Sequence, residues 1–262
     1  MISEAEPILL QSPGMTVTIL PKTGKIISLY DKVKHKEWLW TCTPAQVTGD
    51  SFDARWSGGL DLLFPCDEEA VGEAEFYWDH GICWRDCWSL QAVEAAKVIL
   101  GMDAYGFRLS YTMAAEGRSL SLSVRIHNRR EDSVLYLLRW HPAFALETLQ
   151  EVSYTDKDGM CGNLLAHPAN SRQAYTMEYL EPSQGKIFIE DKQGRYLQMH
   201  YDIERLPALT VFSSNGGWMG HKIIVPEPST GKYSSLEEIR RENQGRYIEP
   251  GETQEYTLVL QL

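Results

Sequence analysis

From Ser119 to Ile126 the chain reads Ser-Leu-Ser-Leu-Ser-Val-Arg-Ile, polar and apolar residues in unbroken alternation. An extended strand points successive side chains to opposite faces, so it sorts such a run into one wet surface and one buried surface. The buried surface then needs a second layer to cover it. Related runs recur along the chain. Residues 15–20 alternate, Pro21 to Gly24 reads as a turn, and Lys25 to Tyr30 reads as the returning strand of a hairpin. Further strands are expected at Ser89 to Val98, Phe107 to Ala114, Ser119 to His127, Leu135 to Trp140, Lys186 to Ile189, Tyr196 to Tyr201, Ala208 to Ser213 and Gln254 to Leu262. Many spaced strands separated by turn residues predict an all-β, large antiparallel β-sandwich and argue against a parallel βαβ sheet.

One helical signal interrupts this pattern. Ser235 and Glu238 have the spacing of a capping box, and Gly245 offers a stop, which predicts one short helix near the C-terminus over residues 235–243. No low-complexity linker or internal repeat divides the 262 residues, so residues 1–262 are expected to form a single domain, a length at which all-β folds are often undivided. The stretch from Thr43 to Asp79 is irregular and rich in Gly, Asp and aromatic residues, and long irregular loops in compact domains often carry function.

The formal net charge is −11, with no basic block. Nucleic acid binding needs clustered Lys and Arg to neutralise phosphates, so no nucleic-acid partner is expected, and no anionic membrane surface either. One phosphate group held by a local arginine is not excluded by this balance. The five cysteines, Cys42, Cys66, Cys83, Cys87 and Cys161, are odd in number and lack paired spacing, as expected of thiols in a reducing compartment. Cys83, Cys87 and His80 are close enough in sequence to surround a metal, but no second ligand pair with zinc-site spacing accompanies them, and no metal is expected. The first residues lack a basic region followed by an apolar one, and no apolar run has membrane-spanning length, so the expectation is a cytoplasmic protein.

Four segments place an ionisable residue beside Gly or Pro near a strand end, where a rigid scaffold presents polar groups on loops. They are Gly58-Gly59-Leu60-Asp61-Leu62-Leu63-Phe64-Pro65, Asp79-His80-Gly81, Trp140-His141-Pro142-Ala143-Phe144 and Pro226-Glu227-Pro228-Ser229-Thr230-Gly231. A carboxylate and an imidazole together can take a proton from one oxygen and give one to another. Interconversion of sugar anomers needs this pair: a base removes the proton of the anomeric hydroxyl, an acid protonates the ring oxygen, the ring opens, the C1–C2 bond rotates and closure occurs on the other face. Neither cofactor nor metal enters that scheme. No Gly-x-Ser-x-Gly elbow and no phosphate-binding glycine loop is present.

In their order along nearly the whole chain, these four segments resemble the aldose 1-epimerase (galactose mutarotase-like) superfamily, particularly its divergent aldose 1-epimerase-related members. The resemblance extends to the short helix and to Ile248-Glu249-Pro250-Gly251-Glu252-Thr253 before the closing strand. It implies the large β-sandwich called a supersandwich, and a small-molecule sugar as substrate. It implies Glu227 as general base at the anomeric hydroxyl, His141 as general acid at the ring oxygen, and His80 as a hydrogen-bonding assistant. Asp61 and Arg85 would contact sugar hydroxyls, and one of Trp78, Trp84 and Trp88 would lie against the apolar face of the sugar. Trp84 and Trp88 would share a face if their segment is a strand. The hexose mutarotases carry Asn-His-x-Tyr-Phe-Asn where this chain has Trp140-His141-Pro142-Ala143-Phe144, and their upstream Asn-Arg motif has no counterpart before Gly58. Arg55, Arg85 and Arg139 are the candidates for a sugar phosphate. A non-catalytic sugar-binding protein on the same fold is the alternative function. A glycan hydrolase or lyase comes last, because it would need two carboxylates, Glu227 and Asp61, at a defined separation. His35, His127, His167, His200 and His221 have no motif context and are read as structural.

Overall fold

The computed structural model describes residues 6–42, 51–71, 76–85, 88–166 and 174–262. Two large antiparallel sheets make up the architecture. The ten-stranded sheet runs Ile8–Gln11, Met15–Leu20, Lys25–Asp31, Leu60–Leu63, Arg139–Pro142, Lys222–Ser229, Ala208–Asn215, Thr176–Leu180. Its two short strands are Phe144–Ala145, beside Lys222–Ser229, and Lys36–Glu37, beside Lys25–Asp31. The nine-stranded sheet runs Cys161–Asn163, Leu149–Asp156, Pro182–Asp191, Tyr196–Tyr201, Thr253–Gln261, Ser119–Asn128, Phe107–Glu116, Lys97–Ala104, Ser89–Glu94.

Alternation explains how the sheets meet. In Ser119–Asn128 every second residue is buried, and Leu120, Leu122, Val124 and Ile126 face Leu260, Leu258, Tyr256 and Gln254 on the neighbouring strand. All of these side chains except Gln254 join Leu10, Val17, Leu29, Leu62 and Trp140 of the other sheet in one continuous core. Burying each such aliphatic side chain contributes about 1.5–3 kcal/mol relative to exposure.

Several expectations hold to within a residue or two, among them Met15–Leu20, Lys25–Asp31, Ser119–Asn128 and Tyr196–Tyr201. Others are corrected. The expected strand from Ser89 to Val98 is two strands, Ser89–Glu94 and Lys97–Ala104, turned at 95–96. The expected strand from Leu135 to Trp140 is also two. Val134–Tyr136 pairs with Arg246–Ile248, whereas Arg139–Pro142 enters the ten-stranded sheet. The C-terminal helix is Leu236–Arg241, and Ser235 precedes it as N-cap residue without a side-chain capping hydrogen bond. The segment carrying Trp84 is a series of turns with no strand, so parity does not relate it to Trp88. Among the described residues no helix is long and apolar enough to cross a membrane. Asp86, Cys87, His167 and residues 1–5 lie outside the described residues, so the trio of His80, Cys83 and Cys87 is not described as a group.

Candidate functional site

The site lies on the face of the ten-stranded sheet that points away from the main core. Leu60–Leu63, Arg139–Pro142 and Lys222–Ser229 are almost wholly buried on both faces. One set of side chains, including Leu62, Trp140 and Ile224, belongs to the main core. The alternate set includes Leu63, Ile223 and Val225, which pack with Phe52, Trp56, Trp84 and Ala143 in a second cluster. Period-two geometry puts Arg139 and His141 on the same face as each other, and Glu227 and Ser229 likewise. The register sets Arg139 opposite Ser229, and the two groups of polar side chains meet on that second face.

Glu227 and His141 approach through Oε1 and Nε2 at 3.8 Å. Both are buried, at 2% and 7% exposure. Arg139 organises the floor around them. Its Nε donates to Ser229 Oγ at 3.0 Å, its Nη2 donates to the Tyr233 carbonyl oxygen at 2.7 Å, and its Nη1 donates to Asp67 and to Ser234 Oγ. The same Nη1 stands 3.5 Å from Glu227 Oε2. A buried guanidinium with so many partners is a fixed positive charge, and it holds two carboxyl groups in place.

His80 arrives from a turn. Its backbone has φ of 60° and that of Gly81 has φ of 72°, both in the left-handed region. A Cβ on Gly81 would lie 2.1 Å from the Phe64 carbonyl oxygen, so only glycine permits this close approach. Gly81 and Phe64 form an isolated parallel bridge, and the His80 amide donates to the Asp67 carbonyl oxygen at 2.6 Å. The imidazole then stacks on Phe52, with ring centroids 3.7 Å apart, and places Nε2 3.5 Å from Asp67 Oδ1 and Nδ1 3.0 Å from Asp79 Oδ1.

The short helix Phe52–Arg55 supplies the wall. Ser51 Oγ accepts from the Ala54 amide at 3.2 Å and caps it. Phe52 and Trp56, four residues apart, fall on one side, and each sets its ring edge-on to His141. Between this wall and the sheet lies a cavity of about 170 Å³. Its polar lining includes His80, His141, Glu227 and Asp67, and its apolar lining includes Phe52, Trp56, Phe212 and Trp218.

Burial governs the proton chemistry. It pushes the Glu227 carboxyl up to about 8 against the opposing pull of Arg139. It pushes the His141 imidazole down to about 3, helped by the positive charge of His80. Burial also opposes a charge on His80, but contact with Asp79 and the charge of Asp67 outweigh it and leave His80 above the usual histidine value. Asp67 is held below the usual carboxylate range, because the Arg139 charge outweighs burial. Between about 3 and about 8 the Glu227–His141 pair therefore holds one titratable proton. Over that range the proton rests on Glu227 and His141 is neutral, and moving it to His141 creates a carboxylate base beside an imidazolium acid.

Of the residues singled out from sequence, Glu227, His141 and His80 come together around the cavity. Asp61, Arg85, Trp84 and Trp88 are not among its lining residues. Asp61 sits opposite His141 in the strand register but is sealed against Lys25, whose Nζ is 3.2 Å from Oδ2. Trp88 belongs to the main core and donates from Nε1 to the Cys83 carbonyl oxygen at 2.7 Å. Trp84 stands behind Phe52, edge-on to it, and donates to the Asp79 carbonyl oxygen at 3.0 Å, so it supports the wall from outside. The Arg85 guanidinium lies over Trp78 at 4.3 Å and Trp84 at 5.2 Å from the ring centroids. Asp67 and the apolar wall were not anticipated, and Arg139 was anticipated only as a phosphate ligand. The available signal for Asp67 was a carboxylate two residues after the Pro65 that ends the Leu60–Pro65 run.

No family model matches the sequence, and no curated protein matches it. Solved structures do match in fold. The Slr1438 protein of Synechocystis sp. PCC 6803 is 18% identical, with a TM-score of 0.72 over 98% of this chain and 95% of its own. A protein of Escherichia coli K12 provisionally described as an aldose 1-epimerase is 15% identical, with a TM-score of 0.70 over 98% of each chain. A galactose mutarotase related enzyme of Lactobacillus acidophilus is 12% identical, with a TM-score of 0.70 over 98% of this chain and 97% of its own. The chain thus has the galactose mutarotase-like β-sandwich fold.

Proposed function

We propose that this protein is a carbohydrate isomerase that interconverts the α and β anomers of an aldose or aldose derivative. The observation that carries the reading is the meeting of Glu227 and His141 at 3.8 Å in the wall of one cavity, with His80 beside them. With the pair's single proton moved onto His141, Glu227, as carboxylate, takes the proton of the anomeric hydroxyl. His141 gives its proton to the ring oxygen, the ring opens, and the same two groups reverse roles as it closes on the other face. His80 keeps positive charge next to the pair, and Arg139 is a positioning residue that holds Glu227 and Asp67. The aromatic wall excludes water and lies against the apolar face of the sugar. The fold shared with the Escherichia coli and Lactobacillus acidophilus proteins supports this reading at the level of architecture, and their descriptions supply the reaction class.

A sugar-binding protein without catalysis is the second reading. It is favoured by the protonation of the pair near neutrality, a protonated Glu227 beside a neutral His141, which is the reverse of the base and acid the reaction needs. The free thiols of Cys42, Cys66 and Cys161 accord with a reducing compartment, and we place the protein in the cytoplasm on that basis. Anomer exchange measured by NMR on a panel of aldoses tests the isomerase reading. Acceleration by the native protein and its loss in Glu227→Gln are expected. Sugar binding with no acceleration for any member of the panel would replace the isomerase with the binding protein.

A further inference from the structure

The mouth of the cavity differs in charge from its floor. On the floor the cations are compensated: Arg139 is engaged by Asp67, Ser229, Ser234 and the Tyr233 carbonyl, and His80 stands between Asp67 and Asp79. At the mouth two further carboxylates, Asp53 and Glu68, line the cavity and are exposed. Neither forms an ion pair with a cation among the described residues, and no Lys or Arg is among the cavity's described lining residues. Among the described residues, the mouth therefore carries negative charge that no ion pair compensates, in a chain whose net charge is already −11. Beside these carboxylates stand Phe52, Trp56 and Trp218, and aromatic faces attract ammonium groups as well as sugar C–H faces. Deeper in, the buried His141 imidazole lines the cavity, and its Nδ1 has no hydrogen-bond partner among the described residues.

We propose that the cavity takes an amino sugar, its ammonium group at the Asp53–Glu68 mouth, its ring against the aromatic wall and a hydroxyl reaching His141. This rests on the reading of the site as a sugar site. A phosphorylated or carboxylated sugar would bring a like charge to the same mouth and is disfavoured.

The test is calorimetric titration of the protein near neutral pH and low salt with glucosamine, glucose, N-acetylglucosamine and glucose 6-phosphate. Glucosamine is expected to bind about five- to tenfold more tightly than glucose or N-acetylglucosamine, the scale of one or two partly exposed ion pairs, with a preference that shrinks as salt is added. In Asp53→Asn and Glu68→Gln together, that preference is expected to collapse to within about twofold. Glucose binding as tightly as glucosamine, or glucose 6-phosphate binding more tightly, overturns the amino-sugar assignment and leaves the isomerase reading standing. A preference for glucosamine that survives in the double variant overturns the role of these two carboxylates. Binding of none of the four sugars overturns the amino-sugar assignment, and the anomer-exchange panel then decides the isomerase reading by itself.

Discussion

Arg139 and Asp67 form a buried ion pair whose guanidinium also stands 3.5 Å from Glu227, so one positive charge holds two acidic side chains on the floor of the cavity. Removing the cation leaves the buried Asp67 charge with only the His80 imidazole, 3.5 Å away, to face it. Arg139→Met is therefore expected to destabilise the fold by about 3–5 kcal/mol, and adding Asp67→Asn should recover a large part of the loss. Denaturant unfolding of both variants checks this, and equal losses in the single and double variants would contradict the pairing.

Glu227→Gln keeps the shape of the side chain and removes its ability to ionise. Anomer exchange is expected to fall by about 10²–10⁴-fold, the usual contribution of a positioned general base. The thermal midpoint should not drop, because burial already favours the uncharged form of this carboxyl. NMR exchange and a melting curve on the same sample separate the two effects. Undiminished exchange would remove Glu227 from the mechanism.

The pair also sets a pH window. Above about 8 Glu227 loses the proton the pair shares, and below about 3 His141 gains a second one. Exchange activity, as kcat/KM, is expected to be level near neutrality and to decline as pH rises through about 8. His141 also couples folding to pH. Its folded value lies below the unfolded one, so the stability it contributes is fully present above the usual histidine value and is lost as pH falls toward about 3. Activity that climbs steadily through pH 8 would show that the shared proton is not required.

Gly81→Ala tests the turn that presents His80. The new Cβ meets the Phe64 carbonyl oxygen at 2.1 Å, and the backbone is left-handed at that position. The left-handed backbone alone costs about 1–3 kcal/mol, and the clash adds to it. Stability and exchange should fall together, read by melting and by NMR. A variant with native stability would show that the Phe64–Gly81 bridge yields easily.

The strands that pack on one face only were legible in the sequence. Ser119–Asn128 and Met15–Leu20 bury every second residue, and their letters alternate accordingly. The strands that build the site were not. Leu60–Leu63, Arg139–Pro142 and Lys222–Ser229 are covered on both faces, so their burial is continuous and their period of two disappears. Glu227, His141 and His80, named from the motif order, meet around one cavity, whereas Asp61, named from the same order, faces Lys25, and Trp88, named as an aromatic near His80, enters the core. Which buried carboxyl faces a cavity and which faces a lysine is decided by pairing between distant segments, and single-sequence patterns do not carry it.

The Arg139 cluster also has a kinetic meaning. Its contact with Ser229 joins residues 90 apart in the chain, and its contact with Asp67 joins residues 72 apart. Such pairings form slowly, because long loops must close before any contact repays their entropy. Until all three segments converge, the guanidinium stays in water, where its hydration opposes burial. Closure of the cavity floor and desolvation of Arg139 are thus one event in folding, and a chain that has formed only its hairpins has strands but no place for a sugar.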